Sequence, residues 1–210
     1  MDANVLKEVF LNINEVILEN KDYLIELDQQ NGDGDLGISM SSGFNAVVKC
    51  LSNENESDLG KLFMIASSAF NEAAPSSLGT IISVLFMGIA KKLKGKDEAT
   101  LCDIADAMEA GVNMIMEKAD SKPGEKTILD SLCPAIGVLN KNCKGDVKTV
   151  FEMAYGAAKA GSESTKMMKS VHGRAAYYGE SSIGILDGGS VVGKLIFEGI
   201  YRYCCQQGRM

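Results

Sequence analysis

The sequence predicts an all-α protein, a barrel or bundle of about eight antiparallel helices. Three observations carry this. Apolar residues recur every three to four positions along most of the 210 residues. No segment sustains the apolar–polar alternation of a half-buried strand. The connectors between periodic segments are short, which favours antiparallel neighbours. With 46% hydrophobic and 23% charged residues the chain can bury a large core, and no linker divides it, so one domain over residues 1–210 is expected.

Val5, Leu6, Val9, Phe10, Ile13, Val16 and Ile17 form the first helical stripe. A second helix is expected from about Asp35 to Cys50. Leu59, Leu62, Phe63, Ile65, Ala66, Ala69 and Phe70 mark a third. Ser76 to Leu93 is almost wholly apolar and reads as a buried central helix. Further helices are expected over about 97–119, 127–140, 147–168 and 190–206. Turn residues separate them: Asn31-Gly32, Lys94-Gly95-Lys96, Lys122-Pro123-Gly124 and Lys144-Gly145.

Lys and Arg total 21 against 28 Asp and Glu, a net charge of −7, which disfavours nucleic acid as a partner. An acidic protein that binds an anion needs metal ions or helix N-termini to do so. The six cysteines form no C-x-x-C pair, and most sit in apolar surroundings, so they read as small buried thiols in a reducing compartment. Zinc is disfavoured by the ligand spacing. Neither a signal peptide nor a membrane-spanning run is evident, and a cytoplasmic location with no membrane partner is expected.

The most informative segment is Leu27-Asp28-Gln29-Gln30-Asn31-Gly32-Asp33-Gly34-Asp35-Leu36-Gly37. On a continuous helix Asp33 would point away from Asp28 and Asp35. Gly32 and Gly34 permit positive φ and a tight turn, so the three acids can converge. Converging carboxylates repel unless a cation lies between them, and hard oxygen ligands suit magnesium or calcium. A calcium helix-loop-helix is excluded, because position twelve counted from Asp28 is Ser39, not glutamate. Asp35 is placed to cap the next helix, and Gly37 would leave that helix end sterically open to phosphate. A plain Asp/Gly turn is the alternative.

Asp28-x4-Asp33-Gly34-Asp35-x-Gly37 resembles the magnesium-binding loop of the ADP-binding L subunit (nucleotide-binding domain) of the dihydroxyacetone kinase family. Three later stretches agree in order: Pro75-Ser76-Ser77-Leu78-Gly79-Thr80, Lys122-Pro123-Gly124-Glu125-Lys126-Thr127-Ile128-Leu129-Asp130, and Gly173-Arg174-Ala175-Ala176-Tyr177-Tyr178-Gly179-Glu180 with Asp187-Gly188-Gly189-Ser190. The resemblance implies a barrel of eight antiparallel helices. It makes Asp28, Asp33 and Asp35 the ligands of two Mg2+ ions, with no catalytic residue beyond them. ADP or ATP would meet the backbone of Leu36, Gly37 and Ser39, the Ser76-Ser77 turn, Leu129 beside the adenine, Arg174, and the Asp187-Gly188 turn. It further implies phosphoryl transfer to a small hydroxyketone held by a separate K-type subunit, with a phosphotransferase-system phosphoprotein as the favoured donor. ATP as donor, a regulatory module without turnover, and a homodimer are left open. Leu36 stands where the family usually has His, Ala119 where it has Gly, and Ser181 where it has Arg.

Some residues invite a second reading. Arg174, one of three arginines, lies in a glycine-flanked segment and suits a fixed anion contact. His172 reads as a polar loop residue rather than a general base. Ser76, Ser77 and Thr80 are candidate helix caps. Asp130 reads as a core-facing acid bonded to backbone. Lys126-Thr127 is not a P-loop, since the glycine spacing before it is wrong.

Overall fold

A computed structural model describes residues 1–207. Among them are nine α-helices, two 3-10 segments and no strand. The helices are α1 (Ala3–Glu19), α2 (Lys21–Asp28), α3 (Leu36–Ser52), α4 (Leu59–Ala73), α5 (Ser77–Leu93), α6 (Leu101–Ala119), α7 (Leu129–Asn142), α8 (Val147–Ser164) and α9 (Gly188–Gln207).

Eight of these close a ring. α1 packs on α3, each helix from α3 to α8 packs on the next, and α9 returns to α1. Short links between α3 and α8 make successive members run in opposite directions, while α2 bridges α1 to α3 and the long 165–187 connector carries the chain from α8 to α9, so the ring is an up-and-down barrel. The short α2 lies against α3 outside the sequence of the ring. It was hidden in the sequence because no Gly or Pro marks its start. Asn20 alone breaks the chain there, with its side-chain amide donating to the Val16 carbonyl at 2.8 Å.

Local chemistry sets most helix starts. Asp2, Asp58, Ser76, Thr100 and Asp146 each accept a backbone N–H of the first turn. Thr100 and Asp103 complete a reciprocal capping box. Asp35 occupies the cap position of α3 but makes no such bond, which corrects the expectation: its carboxylate is turned toward the other acids of its loop. The expected helix from Thr127 begins at Leu129, and the one expected to reach Met168 ends at Ser164, followed by the 3-10 turn Thr165–Met167.

The core is one contiguous cluster drawn from every helix. Phe86 of α5 meets the rings of Phe10, Phe44, Phe63 and Phe70 at centroid distances of 5.4, 6.4, 6.2 and 5.8 Å. α5 is thus a wall of the barrel and not a central helix. It is apolar nearly all round because α4 and α6 flank it while the barrel interior takes its third face. The interior retains an apolar cavity of about 220 Å³ near Val5, Phe86 and Ile200.

Two crossings depend on missing atoms. A Cβ at Gly88 would lie 2.6 Å from the Gly111 Cα, so α5 and α6 touch backbone to backbone. Pro134 inside α7 has no N–H for the Asp130 carbonyl. Gly161 of α8 packs onto that freed carbonyl, where any side chain would collide.

The cysteines depart from expectation. Only Cys204 is buried, and Cys50 is exposed at the end of α3. Cys102 and Cys143 form a disulfide joining the start of α6 to the end of α7, two sites 41 residues apart in sequence. No spacing rule marks such a pair, since the approach is made by the α6–α7 packing. Burial pushes the Cys133 and Cys204 thiols up to about 11, so both are inert fillers. No described helix is long and apolar enough to cross a membrane.

The α5–α6 contact makes a direct prediction. In Gly88→Ala, overpacking of about 1–3 kcal/mol outweighs the gain of about 1 kcal/mol in helix propensity. The urea midpoint falls while the helical circular dichroism of the folded state is kept.

Candidate functional site

The links 29–35, 74–76, 120–128 and 165–187 all lie at one end of the barrel, because each joins a helix running toward that end to one running away. They surround a cavity of about 960 Å³. The first residues of α3, α5, α7 and α9 (Leu36, Ser77, Leu129 and Gly188) all line it. Four helix N-termini therefore turn their positive dipole ends to one space, an environment that favours an anion, although the first N–H groups of α7 are already bonded to Thr127 and Ile128.

The acidic loop forms one rim. Carboxylate oxygens of Asp28, Asp33 and Asp35 lie within 4.8 Å of one another. Asp28 ends α2, and its Oδ2 accepts the Gly34 N–H at 2.8 Å, which curls the loop back on the helix. The two glycines act differently. Gly34 has φ +78°, a conformation that favours glycine, whereas Gly32 is required for room: a Cβ there would collide with the Asp28 carboxylate. Burial raises the pKa of Asp35, and the charges of Asp33 and Asp28 raise it further. Asp33 has the opposite balance. Its slight burial pushes upward, but hydrogen bonding and attraction from the paired Arg174 guanidinium hold it below the usual carboxylate range.

The donor set fits a divalent cation. It is all oxygen, formally triply negative, partly exposed and brought to one point, so cation charge would relieve the repulsion that raises Asp35.

Across the cavity, Ser76 caps α5, accepting the Gly79 N–H at 3.1 Å, and its hydroxyl meets that of Ser39 at 2.7 Å. Gly37 lies behind the cavity wall and does not open the helix end. A Cβ there would strike the Lys21 carbonyl, so its role is to seat α3 on α2. Leu36 is buried in the core cluster and packs on Gly188, where a Cβ would lie 2.6 Å from Leu36 Cδ2. Of the expected nucleotide contacts, Leu36, Ser76, Ser77, Leu129, Arg174, Asp187 and Gly188 line the cavity; Gly37 and Ser39 stand just behind it.

The 165–187 connector lacks regular helix except for two 3-10 segments, yet it is pinned at a point the sequence left unassigned. Lys126, 4% exposed and at φ +62°, sends its ammonium to three carbonyls of the connector: Ser182 at 2.5 Å, Ile185 at 2.7 Å and Met168 at 3.2 Å. All three N–H donors are satisfied, which is what lets an ammonium be buried. Desolvation lowers its pKa, and the nearby Asp187 charge opposes that. Asp130 holds the preceding turn as expected, accepting the N–H groups of Gly124 at 2.5 Å and Thr127 at 2.7 Å. His172 pairs with Glu125 at 2.7 Å and fastens the connector a second time. The available signal for Lys126 was its place in the Pro-Gly-Glu-Lys-Thr turn, but which carbonyls it reaches depends on residues more than 40 positions away.

Asp187 caps α9, with Oδ2 accepting the Ser190 N–H at 2.6 Å. Burial pushes its pKa up to about 7, with Asp130 and Asp28 adding to the rise and the Ser190 N–H and Lys126 opposing it.

A family model described as DAK2 domain matches residues 30–202. The chain is 30% identical over 188 residues to "PEP-dependent dihydroxyacetone kinase 1, ADP-binding subunit DhaL" of Listeria innocua, covering 89% of each protein. The corresponding Escherichia coli ADP-binding subunit DhaL is 26% identical, over 84% of this chain and 85% of that protein. A Dictyostelium discoideum protein named "Probable dihydroxyacetone kinase" is 30% identical over 94% of this chain, which spans only 33% of that longer protein. The crystal structure of the C. freundii dihydroxyacetone kinase in complex with AMP-PNP and Mg2+ has the same fold, with a TM-score of 0.75 at 21% identity, over 96% of this chain and 34% of that one.

Two predictions follow from the pinned connector and the capping acid. Lys126→Met leaves three carbonyls without donors, so protease cleavage within 168–185 accelerates while overall helicity is retained. Asp187 binds its proton more tightly folded (about 7) than unfolded (3.8). Its protonation therefore adds stability that is fully present below 3.8 and lost as pH rises through about 7. In Asp187→Asn, which keeps the capping oxygen, this part of the pH dependence vanishes; urea unfolding at pH 5 and pH 8 in metal-free buffer measures it.

Proposed function

The chain belongs to the DAK2 domain family, and on that premise we propose that it is the ADP-binding subunit of a dihydroxyacetone kinase. In this reading it carries a nucleotide through which a phosphoryl group passes to a small hydroxyketone held by a partner K-type subunit. The observation that carries the reading is the meeting of three carboxylates with four helix N-termini at one cavity.

Asp28, Asp33 and Asp35 would hold Mg2+, two ions in the arrangement proposed here. The metal, when bound, neutralises phosphate charge and aligns the transferred group. Around it the chain's own groups divide the work. The N-terminal N–H groups of α3 and α5 receive phosphate oxygens, with Ser39 and Ser76 fixing the approach of those two helices. Arg174, paired with Asp33 here, turns its guanidinium to phosphate when Asp33 takes up its ligand role. Leu129, Ala119 and Ile115 supply apolar walls for the base. Asp187 and Gly188 close the far side. Catalysis is then positional and electrostatic, with no side chain acting as nucleophile.

The donor proposed is a phosphoprotein of the phosphotransferase system that recharges retained ADP. The support is that this chain matches, nearly end to end, relatives named as PEP- or PTS-dependent ADP-binding subunits. A cytoplasmic location accords with this chemistry. A second reading, a nucleotide-binding regulator without turnover, is favoured by one observation: Leu36, where the family usually places a polar His, is committed to the core. Product formation with a K-type subunit and phosphodonor would dismiss it.

Calorimetry with ADP and Mg2+ tests the main reading. Arg174→Ala weakens ADP binding by about 10- to 100-fold, the value of a charge-assisted phosphate contact. Asp33→Ala removes the Mg2+ dependence of binding. Nucleotide binding that is independent of Mg2+ and indifferent to Asp33 overturns the proposal.

A further inference from the structure

Cys102 and Cys143 meet at the end of the barrel opposite the cavity, where their bond closes the α6–α7 hairpin into a covalent ring. At its other end the hairpin turns through residues 120–128, and there Asp120 and Lys126 hold left-handed backbone, at φ +47° and +62°, without being glycine. Pro134 removes one hydrogen bond from α7. Each of these features costs stability locally, so the cross-link falls on a segment with costs to offset.

The bond also sits where a small thiol can exchange with it. Both cysteines are half-buried at the barrel end. Cys102 is the second residue of α6, in the first turn, where backbone N–H groups and the dipole favour a thiolate. The adjacent Asp103 is paired with Lys96 at 2.7 Å, so its charge offers little opposition. Cys143 caps the end of α7 between the exposed Lys141 and Lys144, whose charges attract an anionic thiol. The thiol that forms the more stable thiolate is the better leaving group, which assigns attack to Cys143 and departure to Cys102.

We propose that Cys102–Cys143 is a reversible redox site, opened by anionic small thiols of the glutathione class and re-formed by their disulfides, which sets the stability of the barrel. A reductant thiolate attacks Cys143 Sγ, the Sγ–Sγ bond breaks, and Cys102 leaves as a thiolate. A second reductant thiolate then attacks the reductant sulfur of the mixed disulfide and frees Cys143. Two reductant thiols become one disulfide while the chain's disulfide becomes two thiols, so two electrons and two protons pass to the chain. Cross-links of this kind in a reducing compartment are characteristically redox-sensing, and for those surroundings the inference rests on the cytoplasmic location proposed above. It does not draw on the nucleotide. Cys102 and Ala119, which lines the cavity, stand at opposite ends of α6, about 25 Å apart at about 1.5 Å per residue. The bond therefore acts on the folded barrel as a whole, by restricting its unfolded chain.

The test equilibrates the full native chain in reduced or oxidised glutathione, without denaturant or nucleotide. Peptide mass spectrometry after alkylation reads the cross-link, with the exposed Cys50 as a thiol outside the pair, and calorimetry reads the melting temperature. Reduced glutathione removes the cross-link and lowers the melting temperature by about 5–15 °C, and oxidised glutathione restores both. Cys102→Ser and Cys143→Ser melt with reduced wild type in either buffer, and Cys102→Ser, which lacks the resolving thiol, accumulates the mixed disulfide on Cys143. The reduced wild type carries the same comparison should either variant fail to fold. A cross-link that survives reduced glutathione in the native chain overturns the proposal, as does one that oxidised glutathione does not re-form, or a melting temperature indifferent to its loss.

Discussion

Opposed electrostatics at one end of the barrel organise the rest of the molecule. Four helix N-termini point into the cavity and favour negative charge. Three aspartates on its rim add negative charge of their own and would repel an anion that entered alone. A divalent cation between acid and anion satisfies both. In the structure described here the Arg174 guanidinium takes part of that role by pairing with Asp33, while Asp35 is left with a raised pKa among its neighbours.

The barrel makes this concentration of termini possible. An up-and-down ring brings alternate helix starts to the same end, and one contiguous apolar core joins the helices that carry them. The conformational cost falls on the connectors. The long 165–187 segment has little regular structure of its own, so it borrows order from Lys126, whose buried ammonium meets three of its carbonyls, and from Glu125 through His172. Asp130 then fixes the turn that presents Lys126. A change at any of these positions reaches Arg174 and Asp187 without touching a ligand.

Leu36 shows how the same rim divides between packing and chemistry. Its side chain fills the gap beside Gly188 and belongs to the core, while its backbone begins α3 at the cavity. By packing on Gly188, the Leu36 side chain ties the starts of α3 and α9 together.

The periodic apolar stripes, the short connectors and the Asp/Gly loop were legible in the sequence because each rests on local chemistry: helical repeat, turn propensity, and carboxylates clustered within eight residues. They were enough for the helical barrel and for the three acids. The break at Asn20, the disulfide of Cys102 with Cys143, the burial of Gly37 and the grip of Lys126 were not legible, since each depends on atoms brought together from distant parts of the chain. A cap is the commonest local use of an aspartate at position 35, but its neighbours across the turn claim the side chain instead. Sequence alone determined which groups are available to the site. Tertiary structure decided which of them face the cavity, because that depends on how helices far apart in the chain pack around one core.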